Sequence, residues 1–478
     1  YNLDDFNHLM NGIALRKASA SKHPYYAQRK IARCYNYFLK RIDKEIESLN
    51  DESVVDFLLG KYNKVKQAML VKIEVSSHSD AYVLFESLNN RGTPLTAIDL
   101  MKNLIMAKAE GNNLTIDDCF NRWQTLLGNL SEDYSIQERF FRQYYNAFKH
   151  HLNEPFQSDA DRKKDPLGVV ATRSNLLNIF ESLINKDLPL FLDDILQCGQ
   201  IYSWLILQDT IENPYRKALE DLDHIQGAPS YLLLMYLMRN KEELAISKEQ
   251  INLIIRLLAK YFVRRNITDY PNTRDLTRIF MDIISKLEEA QATGGKVVSI
   301  IIDILSTPTN CASDEQFRRS LEGDVYKDNV GATRYILCKL AEAAMTQETW
   351  TDLWRRTDKK VFVWTIEHIF PEGQNIPESW VNMIADGDKD LAKQYLEEYT
   401  HKIGNLTITG YNSTLGNKSF EEKRDRKSKD GQRFIGYKNG LDINREIATM
   451  DKWTVDDIKT RTATLVDELM KVYKFPGE

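Results

Sequence analysis

Two short strings concentrate side chains able to do chemistry. Thr365-Ile-Glu-His-Ile-Phe-Pro371 sets a carboxylate beside an imidazole, and Lys402-Ile-Gly-Asn-Leu-Thr407, followed by Tyr411-Asn-Ser-Thr-Leu415, brings two asparagines. An acidic residue next to a histidine at a strand end, with two later asparagines, suits single-metal cleavage of a phosphodiester. One hard Mg2+ ion takes oxygen ligands, here a carboxylate and an amide carbonyl, and keeps positions for phosphate oxygen and water. A neutral histidine takes the proton of the attacking water near pH 7. Its other ring nitrogen then needs a fixed partner to set tautomer and direction. Singly, each piece is ordinary: His401 alone reads as a structural or surface histidine, and Asn405 after Gly404 is a good turn residue. Their order along the chain makes the set informative.

Glu367-His-Ile-Phe-Pro371, Gly404-Asn-Leu-Thr407 and the following Asn412 resemble the ββα-metal fold of HNH nucleases. With His401 and Asn417-Lys-Ser-Phe-Glu-Glu-Lys-Arg424 added, the pattern resembles the HNH domain of GmrSD-type modification-dependent, type IV-like restriction enzymes. The resemblance implies His368 as general base, Glu367 and Asn412 as metal ligands, and Asn405 as the catalytic-site asparagine that braces the loop and the histidine. His401 could contact metal or phosphate instead. Mg2+ (or Mn2+) is the implied cofactor, with 5′-phosphate and 3′-hydroxyl ends as products. Many HNH proteins carry a cysteine zinc-knuckle. None occurs here, so packing alone must hold the fold.

Directly after this set, Lys418–Lys438 holds eight basic residues against four acidic ones, in a chain whose net charge is −5. Lys418, Lys423, Arg424, Arg426 and Lys427 are the candidate phosphate contacts, able to hold a DNA backbone and offset charge developing at phosphorus. By itself such a stretch also reads as a solvated, salt-bridged face.

A second constellation runs from Asp80 to Asn103 and reads as helix, turn, helix, with Asn89, Asn90, Arg91 and Gly92 in the turn. Arg91 could bind phosphate, and Gly92 could permit a positive φ or a close ligand approach. The string Phe85-Glu-Ser-Leu-Asn-Asn-Arg-Gly-Thr-Pro-Leu-Thr-Ala-Ile-Asp-Leu-Met-Lys-Asn103 is similar to the later part of the ParB-like, nucleotide-dependent domain of the same restriction family. That resemblance implies a nucleotide or regulatory turn at Asn89, Arg91 and Gly92, and a nucleoside triphosphate for the complete protein. The Asp-Gly-Gln-Gln-Arg motif that usually opens this domain is absent, and its expected place lies before Tyr1. The start Tyr1-Asn-Leu-Asp4, without methionine, reads as a truncated or processed end.

The elements that must position these residues are mostly helical. Gly (21) and Pro (12) are sparse against a usual share of about 12%. Arg29–Leu49, Gln137–Phe148, Arg173–Ile184, Ser230–Arg239, Ile251–Arg264 and Arg274–Ala290 carry apolar residues three and four apart. Thr96 is placed to cap a helix, with Asp99 in the capping-box position. Strands are predicted at Val71–Val75, Phe362–Ile366 and Ile403–Thr409, a loop at Phe370–Pro377, and helices at Asp80–Asn89 and Leu391–Tyr399. Asp159–Asp165 and Ala292–Gly295 read as breaks.

The 478 residues, 42% hydrophobic and 28% charged, suit a soluble globular protein of several domains. The longest apolar run, Tyr231–Met238, is far short of the roughly 20 residues of a membrane span. Five widely spaced cysteines point to reduced thiols in a cytoplasmic protein. The fold class expected is mainly α and multidomain: residues 1–115 the partial α/β ParB-like sensor, 116–345 a helical scaffold, and 346–478 a ββα-metal HNH domain embedded in helices. The expected function is a Mg-dependent endonuclease of a phage-defence restriction system, acting on double-stranded DNA, phage or modified. Nucleotide binding and modification sensing would gate it, with no membrane partner and a homodimer left open. The alternative is a nucleotide-gated DNA-binding regulator whose HNH fold does not cut. A helical partner-binding scaffold is a third.

Overall fold

A computed structural model describes residues 6–7, 9–10, 30–47, 49–69, 95–152, 169–208 and 212–476. The predicted strand Val71–Val75, the helix Asp80–Asn89, the turn with Asn89, Arg91 and Gly92, and the break Asp159–Asp165 lie outside these residues. The chain divides into two compact units, Tyr1–Ser76 and Ser77–Glu478. In the first, helix α1 (Lys30–Ile46) is joined by Glu45 and Lys61, 2.8 Å apart, to α2 (Asp51–Lys66), whose N-cap Asn50 accepts from Ser53 N.

The second unit is mostly helical. Its first described helix is α3 (Ala97–Lys108), with the expected capping box: Thr96 Oγ1 accepts from Asp99 N, and Asp99 accepts from Thr96 N. The helices expected between Asp117 and Met345 form with boundaries moved by a few residues, as Tyr134–Leu152, Leu176–Lys186, Tyr231–Arg239, Lys248–Thr268 and Thr273–Glu289. Tyr231–Arg239 is buried on every face, which explains its unbroken apolar run. Among the described residues, no helix is long and apolar enough to cross a membrane.

Next come a short helix, α4 (Val325–Asp328), α5 (Val330–Ala343), and a two-stranded antiparallel sheet of β1 (Thr365–His368) and β2 (Leu406–Thr409). Glu367 lies opposite Thr407, and His368 opposite Leu406. The hairpin stands between two cores. Ile366, Leu406 and Ile408 belong to the large helical core, while Ile369 and Phe370 join a smaller one built on Trp380, Phe420, Tyr437 and Trp453.

The predicted strand Phe362–Ile366 forms later, from Thr365. Phe362 makes only an isolated bridge with Arg356, and its ring is faced by the guanidiniums of Arg334 (3.6 Å) and Arg356 (4.1 Å). Arg334, on α5, also donates to the carbonyls of Leu353 and Trp364, which fixes the entry to β1. In Ile403–Thr409 the first three residues form a 3-10 turn rather than strand. The cause is Gly404, whose backbone is pressed against helix α9 (Val455–Val472). Between the strands, Lys389–Tyr399 forms as expected, and Glu378–Ala385 is a helix the sequence reading did not contain. These are α6 (Glu378–Ala385) and α7 (Lys389–Tyr399); after β2 come α8 (Asn412–Leu415) and the short helix Phe420–Arg424.

Candidate active site

The two residues at the end of β1 point to opposite faces, as neighbours on a strand do. On one face, the Glu367 carboxylate meets the ammonium of Lys423, Oε1 to Nζ 2.7 Å, both side chains almost fully buried. Lys423 also donates to the carbonyls of His368 (2.7 Å) and Ile369 (3.2 Å), so its three protons hold the end of β1. Burial pushes Glu367 up and Lys423 down, each against the pull of the other.

On the other face, His368 is buried against the edge of Tyr326 (ring centroids 4.5 Å) and near His401 (5.5 Å). Tyr326, on α4, stacks nearly parallel on His401, so one phenol ring fixes both imidazoles. Nε2 of His368 and Nδ1 of His401 are buried without a hydrogen-bond partner. Burial first, then His401 and Lys423, hold the His368 imidazole down to about 3, so it is neutral at physiological pH. Glu372 stands at the rim, its Oε2 3.7 Å from His368 Nε2. Beyond it opens a cavity of about 310 Å³ lined by Asp324, Lys327, Glu372, Gln374, Glu397 and His401 among others.

Asn405 is wholly buried. Its Oδ1 accepts from Phe370 N (2.8 Å) and Trp453 Nε1 (3.2 Å), and its Nδ2 donates to Phe370 O and Thr400 O. These bonds pin the loop after His368, and they occupy the amide. Asn405 is therefore a positioning residue rather than one that touches substrate. Gly404 permits this: an added Cβ would sit 2.2 Å from Ile458 O and 2.3 Å from Thr462 Oγ1 on α9. Arg461 of α9 donates to Gly404 O and Leu406 O and closes the turn.

Asn412 opens α8 and donates Nδ2 to Ile366 O at 2.7 Å. Its amide oxygen and the second oxygen of Glu367 are donors of the hard kind, and in chemistry they fit Mg2+. The structure thus ties Asn412 to the backbone of β1 and Asn405 to the loop after it. It brings His401 and Glu372, not Glu367, to the His368 ring.

The basic stretch needs correction. Lys423 is fully buried and turned to Glu367, so it is closed to a phosphate backbone. Its helix, Phe420–Arg424, is capped by a Ser419–Glu422 box, and Gly436 lies so close beneath that a Cβ would meet Lys423 O at 1.9 Å. Arg424 is engaged by Asp425, Asp451 and Met450 O. Asp425 is held down to about 2 chiefly by that Arg424 bond. Lys418 lies near Glu422 (3.8 Å), Arg426 is half-buried, and Lys427 is exposed over the Phe434 ring. Of the five expected phosphate contacts, Lys418, Arg426 and Lys427 keep a route to solvent.

Sequence reasoning missed Tyr326 and Glu372. Glu372 carried a signal, being four residues past His368. Tyr326 carried none, lying in an ordinary helical stretch upstream of the expected 345/346 boundary.

Two family models match the chain in order. One, described as GmrSD restriction endonuclease, N-terminal domain, covers residues 1–106; the other, GmrSD restriction endonucleases, C-terminal domain, covers 311–468 and so encloses the hairpin, its histidines and Tyr326. No curated protein matches the chain. The class is thereby that of a restriction nuclease, whose substrate is DNA. More narrowly, the chain belongs to the GmrSD restriction endonucleases and carries the N-terminal and C-terminal matches on one polypeptide.

Proposed function

We propose that residues 346–478, with Tyr326 packed on them, act as an HNH-type nuclease in a phage-defence restriction system of the cytoplasm, cutting double-stranded DNA by hydrolysis. The observation that carries this reading is the placing of His368: an imidazole at a strand end, held by rings on two sides, whose Nε2 is buried with no hydrogen-bond partner among the described residues. In this role His368 Nε2 takes the proton of the attacking water. Asn405 holds the loop that aims it, and Lys423 holds the β1 end from behind. Glu367 and Asn412 are the residues to hold Mg2+ or Mn2+. When bound, such an ion supplies Lewis-acid polarisation and charge neutralisation at the phosphate. Lys418, Arg426 and Lys427 draw the DNA backbone to this face. The N-terminal domain, with its turn at Asn89, Arg91 and Gly92, senses foreign or modified DNA and gates cutting through a nucleoside triphosphate.

The test is plasmid and phage-DNA nicking, with divalent metal and nucleotide each omitted in turn. His368→Ala should lose nicking by about 10²-fold or more, the usual contribution of a general base, while keeping its unfolding midpoint. Unchanged nicking by that variant refutes the assignment. A second reading, a nucleotide-gated DNA-binding regulator that does not cut, draws on the Glu367 carboxylate already being neutralised by Lys423. It predicts DNA retention in gel shifts with no metal-dependent nicking by the intact protein.

A further inference from the structure

Three side chains around the His368 ring remain unexplained by water activation alone. His368, Glu372 and His401 each offer a ligand atom, and these atoms all lie within 4.8 Å of one another. Each of the two histidines also has a buried ring nitrogen, His368 Nε2 and His401 Nδ1, without a hydrogen-bond partner among the described residues, and His368 is more than nine-tenths buried. A buried polar atom left bare costs free energy that a ligand would recover.

The donor set decides the ligand. Two imidazoles and a carboxylate suit a borderline cation such as Zn2+, whereas Mg2+ prefers oxygen throughout. Tetrahedral bonds of about 2.0–2.1 Å put donor atoms roughly 3.3 Å apart, and His368 Nε2 is already 3.7 Å from Glu372 Oε2. Tyr326 packs on both rings, and Glu372, whose side chain is 55% exposed, is free to swing inward, so small ring rotations and the carboxylate together close the remaining gap. In the adjoining cavity Asp324 is paired with Lys402 at 3.2 Å, which leaves Glu372 and Glu397 against Lys327, a balance that favours a cation, and there is room for a water on the fourth position.

We propose that His368, Glu372 and His401 form a three-ligand site for a borderline divalent cation, Zn2+ foremost, distinct from the Glu367–Asn412 pair, and that its occupancy shuts off cleavage. A cation on His368 Nε2 takes the lone pair that receives the water proton. This second half rests on His368 being the base; the binding half does not.

Binding is read first, by calorimetry with Zn2+ and by the visible absorption of Co2+ on the chelator-treated full chain. The expected result is one tight site. Glu372→Gln, at an exposed position that the fold tolerates, and His401→Ala should each weaken it by at least about tenfold, the least that even loss of an outer partner costs a metal site. No binding, or affinity unmoved in both variants, overturns the site. Nicking is then measured in excess Mg2+ as Zn2+ is titrated in, each protein against its own zinc-free rate. Inhibition should track occupancy and shift to higher Zn2+ in Glu372→Gln. Full nicking at full occupancy overturns the switch. Intact Zn2+ binding in a protein that never nicks leaves the cation site standing and fells the nuclease reading instead.

Discussion

At the scale of single residues, the Lys423–Glu367 pair shows how much a buried charge depends on its partner. Both side chains are almost fully enclosed, and burial works against both charges. Lys423→Met should cost about 3–5 kcal/mol, as breaking one partner of a buried pair does. Adding Glu367→Gln should restore part of that loss, since an unpaired carboxylate no longer has to be kept dry. A urea-unfolding cycle over the four proteins measures it, and additive losses contradict the coupling. A second residue reports on acid stability. His224 stacks on Trp354 with ring centroids 3.6 Å apart, and burial holds its imidazole down to about 4. Because the folded value lies below the ordinary 6.5, the unfolded chain gains the proton first. The His224 contribution is therefore full above pH 6.5 and lost as pH falls toward about 4. His224→Phe keeps the stack and should flatten the stability slope over that window; equal slopes in the two proteins reject the idea.

At the scale of elements, the hairpin was legible because chemistry and pattern coincided. Glu367 and His368 close β1, two residues beyond the expected strand, and Asn405 ends a turn into β2 where strand was expected from Ile403. What was not legible is the support behind it. Lys423 sat in a run of lysines and arginines, where sequence alone gives every cation the same solvated reading; only the Gly436 approach and the Ser419 cap turn this one inward. Helix α9 left no mark on the motif either, although it contacts Gly404 through Ile458, Arg461 and Thr462. Gly404→Ala should cost about 1–3 kcal/mol by overpacking, and it should free the Asn405 turn. Denaturant unfolding reads the first effect and hydrogen exchange at Leu406 the second. A protein as stable and as protected as the parent would show that α9 yields to the extra methyl.

At the scale of the whole molecule, the mainly helical architecture follows from composition and periodicity, which are local and survive in a single sequence. The grouping of His368, Glu372, His401 and Tyr326 is not local: it depends on α4 meeting the hairpin across a long stretch of chain, and no spacing rule announces that. The net charge of −5 likewise hides the basic excess of Lys418–Lys438, eight basic residues against four acidic ones. If Lys418, Arg426 and Lys427 touch phosphates, replacing all three with alanine should lower the slope of log affinity against log salt by up to roughly 2–3, near 0.9 per contact on duplex DNA. Gel shifts or anisotropy at several ionic strengths provide the slope. An unaltered slope assigns the phosphate contacts to another face.

The Tyr326 ring carries a practical warning for anyone dissecting this enzyme. Cutting the gene at codon 346 to express the catalytic piece would strip the aromatic roof from both histidines and leave them loose in water. A fragment starting near 311, where the C-terminal family match begins, retains that roof. Inactivity of the shorter fragment would then speak only of where the scissors were placed.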